Sequence, residues 1–522
     1  MERKNYIIAI DLGSSQVTVA VAEKNPEGLL DVVCAVQKPV EGVKAGMIEN
    51  IEQVGRAIHE AVSEVETQLG IRVEEAYAGI SGNFVRCARH TDHVFVYDPQ
   101  NGINQKDVDG LFDRMRNVQA PDDETIMERV PQNYMVDDNQ EVKNPVGSFG
   151  KKLSSTFNFV LCLKTPIQRL DMALRRLGIK MLGTLPNALV TPEAVLFPDE
   201  KEEGVAVVDI GSGVTDVTVY YRNVVRYVVS IPMGASAINR DIRTMCVPEK
   251  YVESFKQKYG SAVAELAPEK CIRVTGPARE AKDILLCNLA TVIEARATDI
   301  AEFVLQEIRD SGYAGKLVYG IVLTGGSAKL KDLDELFRRV TGMEVRVALP
   351  DVAVSEDSKK KVADPSFATA VGLLLRGAEL GASSVMVERP IVKPETKQPI
   401  VTPSVTGASV KVPSVNKPSD TGSPSVVNPF ARTQGVSQPA TPTTSPVVPP
   451  QPVRPVSPVV QQTPPVGVDN SDRDEEQFSS ADNDTDKSAK KSGKGGFGLR
   501  IESMLKSLTE KFNVQQSDDE EI

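Results

Sequence analysis

Two aspartates each end a short apolar strand and open a turn of glycine and serine. The first stretch is Ile8-Ala9-Ile10-Asp11-Leu12-Gly13-Ser14-Ser15; the second is Val207-Val208-Asp209-Ile210-Gly211-Ser212-Gly213, running on into Val214-Thr215-Asp216. Glycine permits close approach and positive φ, so such a turn can aim backbone N–H groups at phosphate oxygens. An aspartate repels a phosphate but can hold the water shell of Mg²⁺. Singly, a D-x-G-S turn is most often a plain hairpin. Two of them imply two similar lobes that grip one nucleotide from both sides.

Two further segments add to this set. Thr324-Gly325-Gly326-Ser327 follows a buried strand, and paired glycines there would let backbone lie flat on a purine and ribose. In Tyr251–Gly260, a helix places Glu253 and Lys256 on one face at i, i+3, a carboxylate for ribose hydroxyls and a lysine stem for the base edge. Alone, a Gly-Gly pair is a turn or helix entry, and Glu253 with Lys256 is a solvated ion pair. In this order and spacing the four segments read as one nucleotide site. Cys87, His90 and His93 around Asp92 look metal-like, but on strand-like sequence without a second cluster they read as ordinary strand residues.

The elements that must position these residues are α/β in pattern. Tyr6–Asp11, Val17–Ala22 and Leu30–Gln37 form a strand meander around the first turn, and Gly204–Ile231 forms another around the second. Ile51, Val54, Ile58, Val62 and Val65 mark a helix. From Gly82 to Val160 the character changes. Strand-like pieces at Phe84–Ala88, His93–Tyr97 and Phe157–Leu163 flank an acidic helical piece at Gln105–Val118, as in an inserted small domain. Helices are expected at Pro166–Leu177, Pro248–Tyr259 and Glu280–Arg309, and a strand at Gly320–Leu323.

The length, 522 residues, exceeds one core and allows two to four domains. A net charge of −11 with no tryptophan argues against a general nucleic-acid binder. Six scattered cysteines without a C-x-x-C pair fit a reducing cytoplasm. The apolar run Tyr6–Ile10 is too short for a signal-peptide core, and no run has membrane-spanning length, so a soluble cytoplasmic chain is expected. From Pro390 to Val466 lie roughly half of the 34 prolines, among Ser, Thr, Val and Gln. Such sequence cannot bury enough apolar surface to offset its ordering entropy, and a disordered linker is expected.

The motifs Ala9–Ser15, Asn144-Pro145-Val146-Gly147, Val208–Asp216, Ile238-Asn239-Arg240-Asp241-Ile242, Lys256–Ala262 and Leu323–Ala328 resemble the actin/Hsp70/sugar-kinase superfamily and, within it, the FtsA family of bacterial cell-division proteins. The resemblance runs from about Tyr6 to Leu375 and resumes at the extreme C-terminus. It implies an actin-like two-lobe ATPase fold with a small α+β subdomain inserted in the first lobe, then a disordered linker and a C-terminal amphipathic helix. The expected boundaries are 1–82 and 164–200 for the first lobe and 83–163 for the insert. The second lobe takes 201–385, its outer subdomain about 237–311; the linker takes 386–494, the helix 495–513 and an acidic tail 514–522. The ligands implied are ATP and Mg²⁺. Gly13, Ser14 and Ser15 would wrap the β/γ-phosphates from one lobe, and Gly211, Ser212 and Gly213 from the other. Asp11 and Asp209 would order the Mg²⁺ water shell, Gly325, Gly326 and Ser327 would face the adenosine, and Glu253 and Lys256 would meet ribose and base. The chain departs from the family twice. Ser212 stands for a middle glycine, and Asn187-Ala188 stands where many relatives have a Glu-Pro able to orient an attacking water. Asparagine cannot act as a base, so at most a weak ATPase is expected, with nucleotide acting mainly as a conformational switch.

At 100° per residue from Phe497, the side chains of Phe497, Ile501, Met504, Leu505, Leu508 and Phe512 fall within a roughly 100° arc flanked by Arg500 and Lys511. A core helix is the commoner use of such a stripe, but here a long linker separates it from any core. Bulky apolar residues beside basic ones suit an anionic membrane interface; a groove on another protein is the other surface that would fit. The family resemblance implies a peripheral protein on the cytoplasmic face of the inner membrane at the division site. It would hold the tubulin-like FtsZ there, self-associate into actin-like polymers and help recruit later division proteins. The alternative is a soluble sugar kinase or phosphatase of the same superfamily. That enzyme needs an aspartate base in the cleft outside the nucleotide turns and has no use for a tethered helix.

Overall fold

The computed structural model describes residues 3–274, 282–381 and 384–387. The expected helix 495–513, the acidic tail 514–522 and nearly all of the linker 386–494 lie outside the described residues.

The first lobe is a sheet in the order Lys180–Pro186, Glu75–Ile80, Arg3–Leu12, Gln16–Lys24, Leu30–Pro39. Its last three strands form an antiparallel meander, and Glu75–Ile80 runs parallel to Arg3–Leu12. One face buries Val17, Val19 and Val21 against the helices Ile51–Leu69 and Lys164–Arg176. The longer helix begins where Asn50 Oδ1 accepts from the N–H groups of Glu52 and Gln53, and it stops at Gly70, left-handed at φ 66°. Alternate residues of the same strands, Ala9, Ala20 and Ala22 among them, pack on the other face against the helices Asn187–Val195 and Ala368–Glu379.

The second lobe repeats the plan. The strands Val205–Ile210, Thr215–Tyr221 and Val224–Ile231 form the meander, with Ile321–Thr324 and Val345–Val347 parallel to its first strand. The helices Ala235–Arg243, Glu249–Tyr259, Leu286–Asp310 and Leu333–Thr341 cover one face of this sheet. The insert consists of the antiparallel strands Val85–Phe95, Glu124–Val136, Gln140–Val142 and Lys152–Leu163, with the helix Gln105–Arg116 over one side. Its sheet joins the second lobe's where Arg86 pairs with Val229, so nine strands run on continuously.

Three expectations are corrected. The two pieces at Phe84–Ala88 and His93–Tyr97 are one strand, because eleven residues of it pair without a break against Lys152–Cys162. Lys282–Leu285 is a strand held by Cys271–Val274, and the helix expected from Glu280 begins only at Leu286. The second lobe does not run to 385. Ala368–Glu379 packs on the first lobe's sheet, and Ser384–Val387 pairs with Arg3–Tyr6, the part of the first strand that extends beyond its pairing with Gln16–Lys24.

Candidate functional site

A cleft of about 790 Å³ lies between the lobes. The two glycine turns face each other across it and are built alike. Gly13 N–H donates to Gln16 O and Gly211 N–H to Val214 O, each at 2.9 Å. Each closes a hairpin between antiparallel strands, which puts Asp11 and Asp209 at equivalent strand ends. The turns touch: a Cβ on Gly213 would lie 2.5 Å from Ser14 Oγ. Ser15 and Ser212 also border the cleft.

The third segment is tied to the second turn. Ser327 Oγ donates to Gly211 O at 3.0 Å. Gly325 sits at φ 85°, and a Cβ there would meet Asp209 Oδ1 at 2.2 Å, so only glycine fits. Gly326 lines the same wall. At the far corner, Glu253 Oε2 accepts from Lys256 Nζ at 2.9 Å and from Asn239 Nδ2 at 2.7 Å, while Oε1 accepts from Gln257 Nε2 at 2.9 Å. Lys256 is buried, so its ammonium depends on this carboxylate. All thirteen residues expected at the nucleotide thus border one cleft.

Sequence reasoning gave Asp216, Asn239, Thr191, Thr369 and Ser81 no place at the nucleotide, yet the fold brings them in. Asp209 Oδ2 accepts from Thr191 Oγ1 at 3.1 Å and Thr369 Oγ1 at 3.0 Å. Asp11 Oδ1 accepts from Asn187 Nδ2 at 3.2 Å, which gives that asparagine a positioning contact. Asp216, paired across the hairpin with Asp209, adds a third carboxylate; Ser81 Oγ donates to it at 2.8 Å and Ser230 Oγ also bonds it. Asp216 carried a legible signal, because it recurs one strand pairing after Asp209. Asn239 had only its place in a motif, and Thr191, Thr369 and Ser81 had none.

The electrostatics fit a bound cation. Burial, then the charge of Asp209, pushes Asp11 up to about 7, and the same causes push Asp216 up to about 7. Burial raises Asp209 as well, against the lowering effect of its two threonine hydrogen bonds. Hydroxyls and one amide donate to these acids, and among the described residues no lysine or arginine does. Among the described residues, no three His, Cys, Asp or Glu side chains are grouped to hold an ion directly. Such a donor set suits a hydrated divalent ion met through its water.

The comparisons agree with this architecture. A family model described as "Cell division protein FtsA" matches residues 206–372, and one described as "SHS2 domain inserted in FTSA" matches 82–161. The chain is 31% identical to the cell division protein FtsA of Pseudomonas aeruginosa over 376 residues, 72% of this chain and 89% of that one. It is 30% identical to that of Neisseria meningitidis over 383 residues, 73% and 92% of the two chains. In fold alone it is similar to a chain of the PilM-PilN type IV pilus biogenesis complex, with a TM-score of 0.50 at 16% identity, covering 71% of this chain and 98% of that one. The chain belongs to the FtsA family of cell-division proteins, within the actin/Hsp70 superfamily.

Proposed function

We propose that this protein binds ATP with Mg²⁺ between its lobes and holds the tubulin-like division protein FtsZ at the cytoplasmic face of the inner membrane through its C-terminal helix. The observation that carries the nucleotide half is the contact of two glycine turns built alike, with Asp11 and Asp209 half-buried and Asp216 buried behind them. Backbone N–H groups of Ser14, Ser15, Ser212 and Gly213 take the phosphates, in turns that the Gly13 and Gly211 N–H groups close. Asp11 and Asp209 hold the Mg²⁺ water shell, and the ion when bound neutralises phosphate charge. Gly325, Gly326 and Ser327 carry the adenosine, with Glu253 and Lys256 at ribose and base. Asn187 has an amide where a base would be needed and gives it to Asp11, so nucleotide serves to set the closure of the lobes more than to be consumed.

Membrane attachment follows from the tail sequence. Burying Phe497, Ile501, Met504, Leu505, Leu508 and Phe512 in an interface yields at most about 1.5–3 kcal/mol each. Arg500, Lys511 and the nearby lysines add about 1 kcal/mol per charge near anionic lipid. The actin-like body self-associates, and later division proteins join the assembly it anchors. Among the described residues no helix is long and apolar enough to cross a membrane. The test has two arms. Calorimetric titration with MgATP should show one site per chain. Co-sedimentation with anionic vesicles should be strong for the full chain and lost on truncation before Lys487; equal pelleting of both would remove the membrane reading. Rapid ATP turnover onto a sugar would replace the adaptor with a kinase.

A further inference from the structure

We infer that Ser81 couples the cleft to the inserted subdomain, so that nucleotide occupancy sets how firmly the insert is held; this rests on the nucleotide reading of the cleft. Asp216 is the junction. It is buried and lines the cleft, and its Oδ1 accepts from both Ser81 Oγ, at 2.8 Å, and Ser230 Oγ. Among the described residues, none is seen to hydrogen-bond Oδ2. The two serines belong to the two attachments of the insert. Ser81 is the residue between the strand Glu75–Ile80 and Gly82, whose carbonyl accepts from Val85 N–H at the start of the insert's first strand. Ser230 lies in Val224–Ile231, the strand that carries the insert's sheet. In that strand Val229 pairs with Arg86, and Arg226 Nη1 donates to Gln132 Oε1 at 3.2 Å and Asn133 Oδ1 at 3.0 Å.

Ser81 also touches the first turn through one intermediate. Gly46, at φ 81° on the tip of a small hairpin, donates its N–H to Ser14 Oγ at 3.3 Å. A Cβ there would lie 1.8 Å from Ser81 O, so the tip is pressed against the Ser81 carbonyl. Both phosphate turns therefore reach the joint at Ser81–Gly82, one through Ser14 and Gly46 and the other through Asp216. A cation that draws charge toward Asp216 Oδ2 makes Oδ1 a poorer acceptor. The Ser81 bond then loosens, and with it the joint that holds the strand Val85–Phe95.

The experiment is hydrogen exchange by mass spectrometry on the full chain, with and without MgATP, with binding measured by calorimetry on the same samples. In the wild type, MgATP should speed exchange over 85–95 by about three- to tenfold, the scale of one hydrogen bond. S81A, at a MgATP concentration that calorimetry shows to saturate it, should exchange that fast with and without nucleotide. S81T, which keeps the hydroxyl, should restore the response. A purely structural serine would give S81A faster exchange in both states with the nucleotide response intact, and that result overturns the inference. So does a wild type that binds MgATP with no change over 85–95. A wild type that binds no MgATP overturns the nucleotide reading, and the coupling with it.

Discussion

Alanine at 213 attacks the point where the two turns meet. The added Cβ would stand 2.5 Å from Ser14 Oγ, 2.8 Å from Ser14 Cβ and 3.2 Å from Ala45 N. Gly213 is not among the residues at positive φ, so the perturbation is contact between the turns and not backbone strain. The Ser14 hydroxyl can rotate aside, but its Cβ cannot. Carbon atoms rest at about 3.5–4.0 Å, so the turns must part by roughly 0.7–1.2 Å. A phosphate bridged by N–H groups from both turns then loses at least one charge-assisted hydrogen bond, about 1.5–3 kcal/mol. MgATP affinity should fall about ten- to hundredfold, while overpacking at the cleft edge costs the fold only about 1 kcal/mol. Titration calorimetry reads the affinity and a thermal melt reads the fold. S14G removes the opposing Cβ, so the double variant G213A/S14G should regain much of what G213A loses beyond the cost of S14G alone. The reasoning fails if folded G213A binds within about twofold of wild type, or if the second substitution restores nothing.

Three further outcomes are expected. R226M keeps apolar volume but removes a buried guanidinium that bonds Tyr221 O, Gln132 and Asn133. It should destabilise the joint between insert and second lobe by about 2–4 kcal/mol in urea unfolding, and an unchanged midpoint would contradict the role given to that strand. Alkylation should label the exposed Cys246 and Cys271 well before Cys34 and Cys162; burial raises the Cys34 thiol and pushes Cys162 up to about 12. Peptide mass spectrometry that finds Cys162 labelled as fast as Cys246 would contradict the insert's core. Arg114 hydrogen bonds hold Asp92 below the ordinary 3.8. The stability from that pair is complete above the ordinary value and is lost as pH falls through the depressed one. Between about pH 5 and pH 3, wild type should therefore lose more stability than D92N, whose pair is already gone; parallel acid profiles would count against it.

The elements most legible in sequence were those whose signal is local. Val54, Ala57, Ile58, Ala61, Val62 and Val65 repeat at helical spacing and all are buried. The strand Glu124–Val136 had no such pattern. It contains Pro131, and nearly all its side chains are half-buried on both faces, so the alternation that marks a strand is absent. The hairpin at Cys271–Leu285 hid the true start of the following helix for a related reason. Lys282–Leu285 is held as a strand by partners that periodicity does not reveal.

By itself the sequence determined the two Asp-Gly-Ser turns, the strand meanders that carry them and the apolar stripe of the tail, because turn chemistry and amphipathic period depend on residues a few positions apart. Tertiary structure alone decided that Ser81 and Ser230 meet on one oxygen of Asp216, that Thr191 and Thr369 meet on Asp209, and that the insert continues the second lobe's sheet. It also returned 368–379 to the first lobe. Each of these is a contact between segments far apart in the chain, fixed by strand register and by which helix face finds a partner. No local pattern of residue types records that choice.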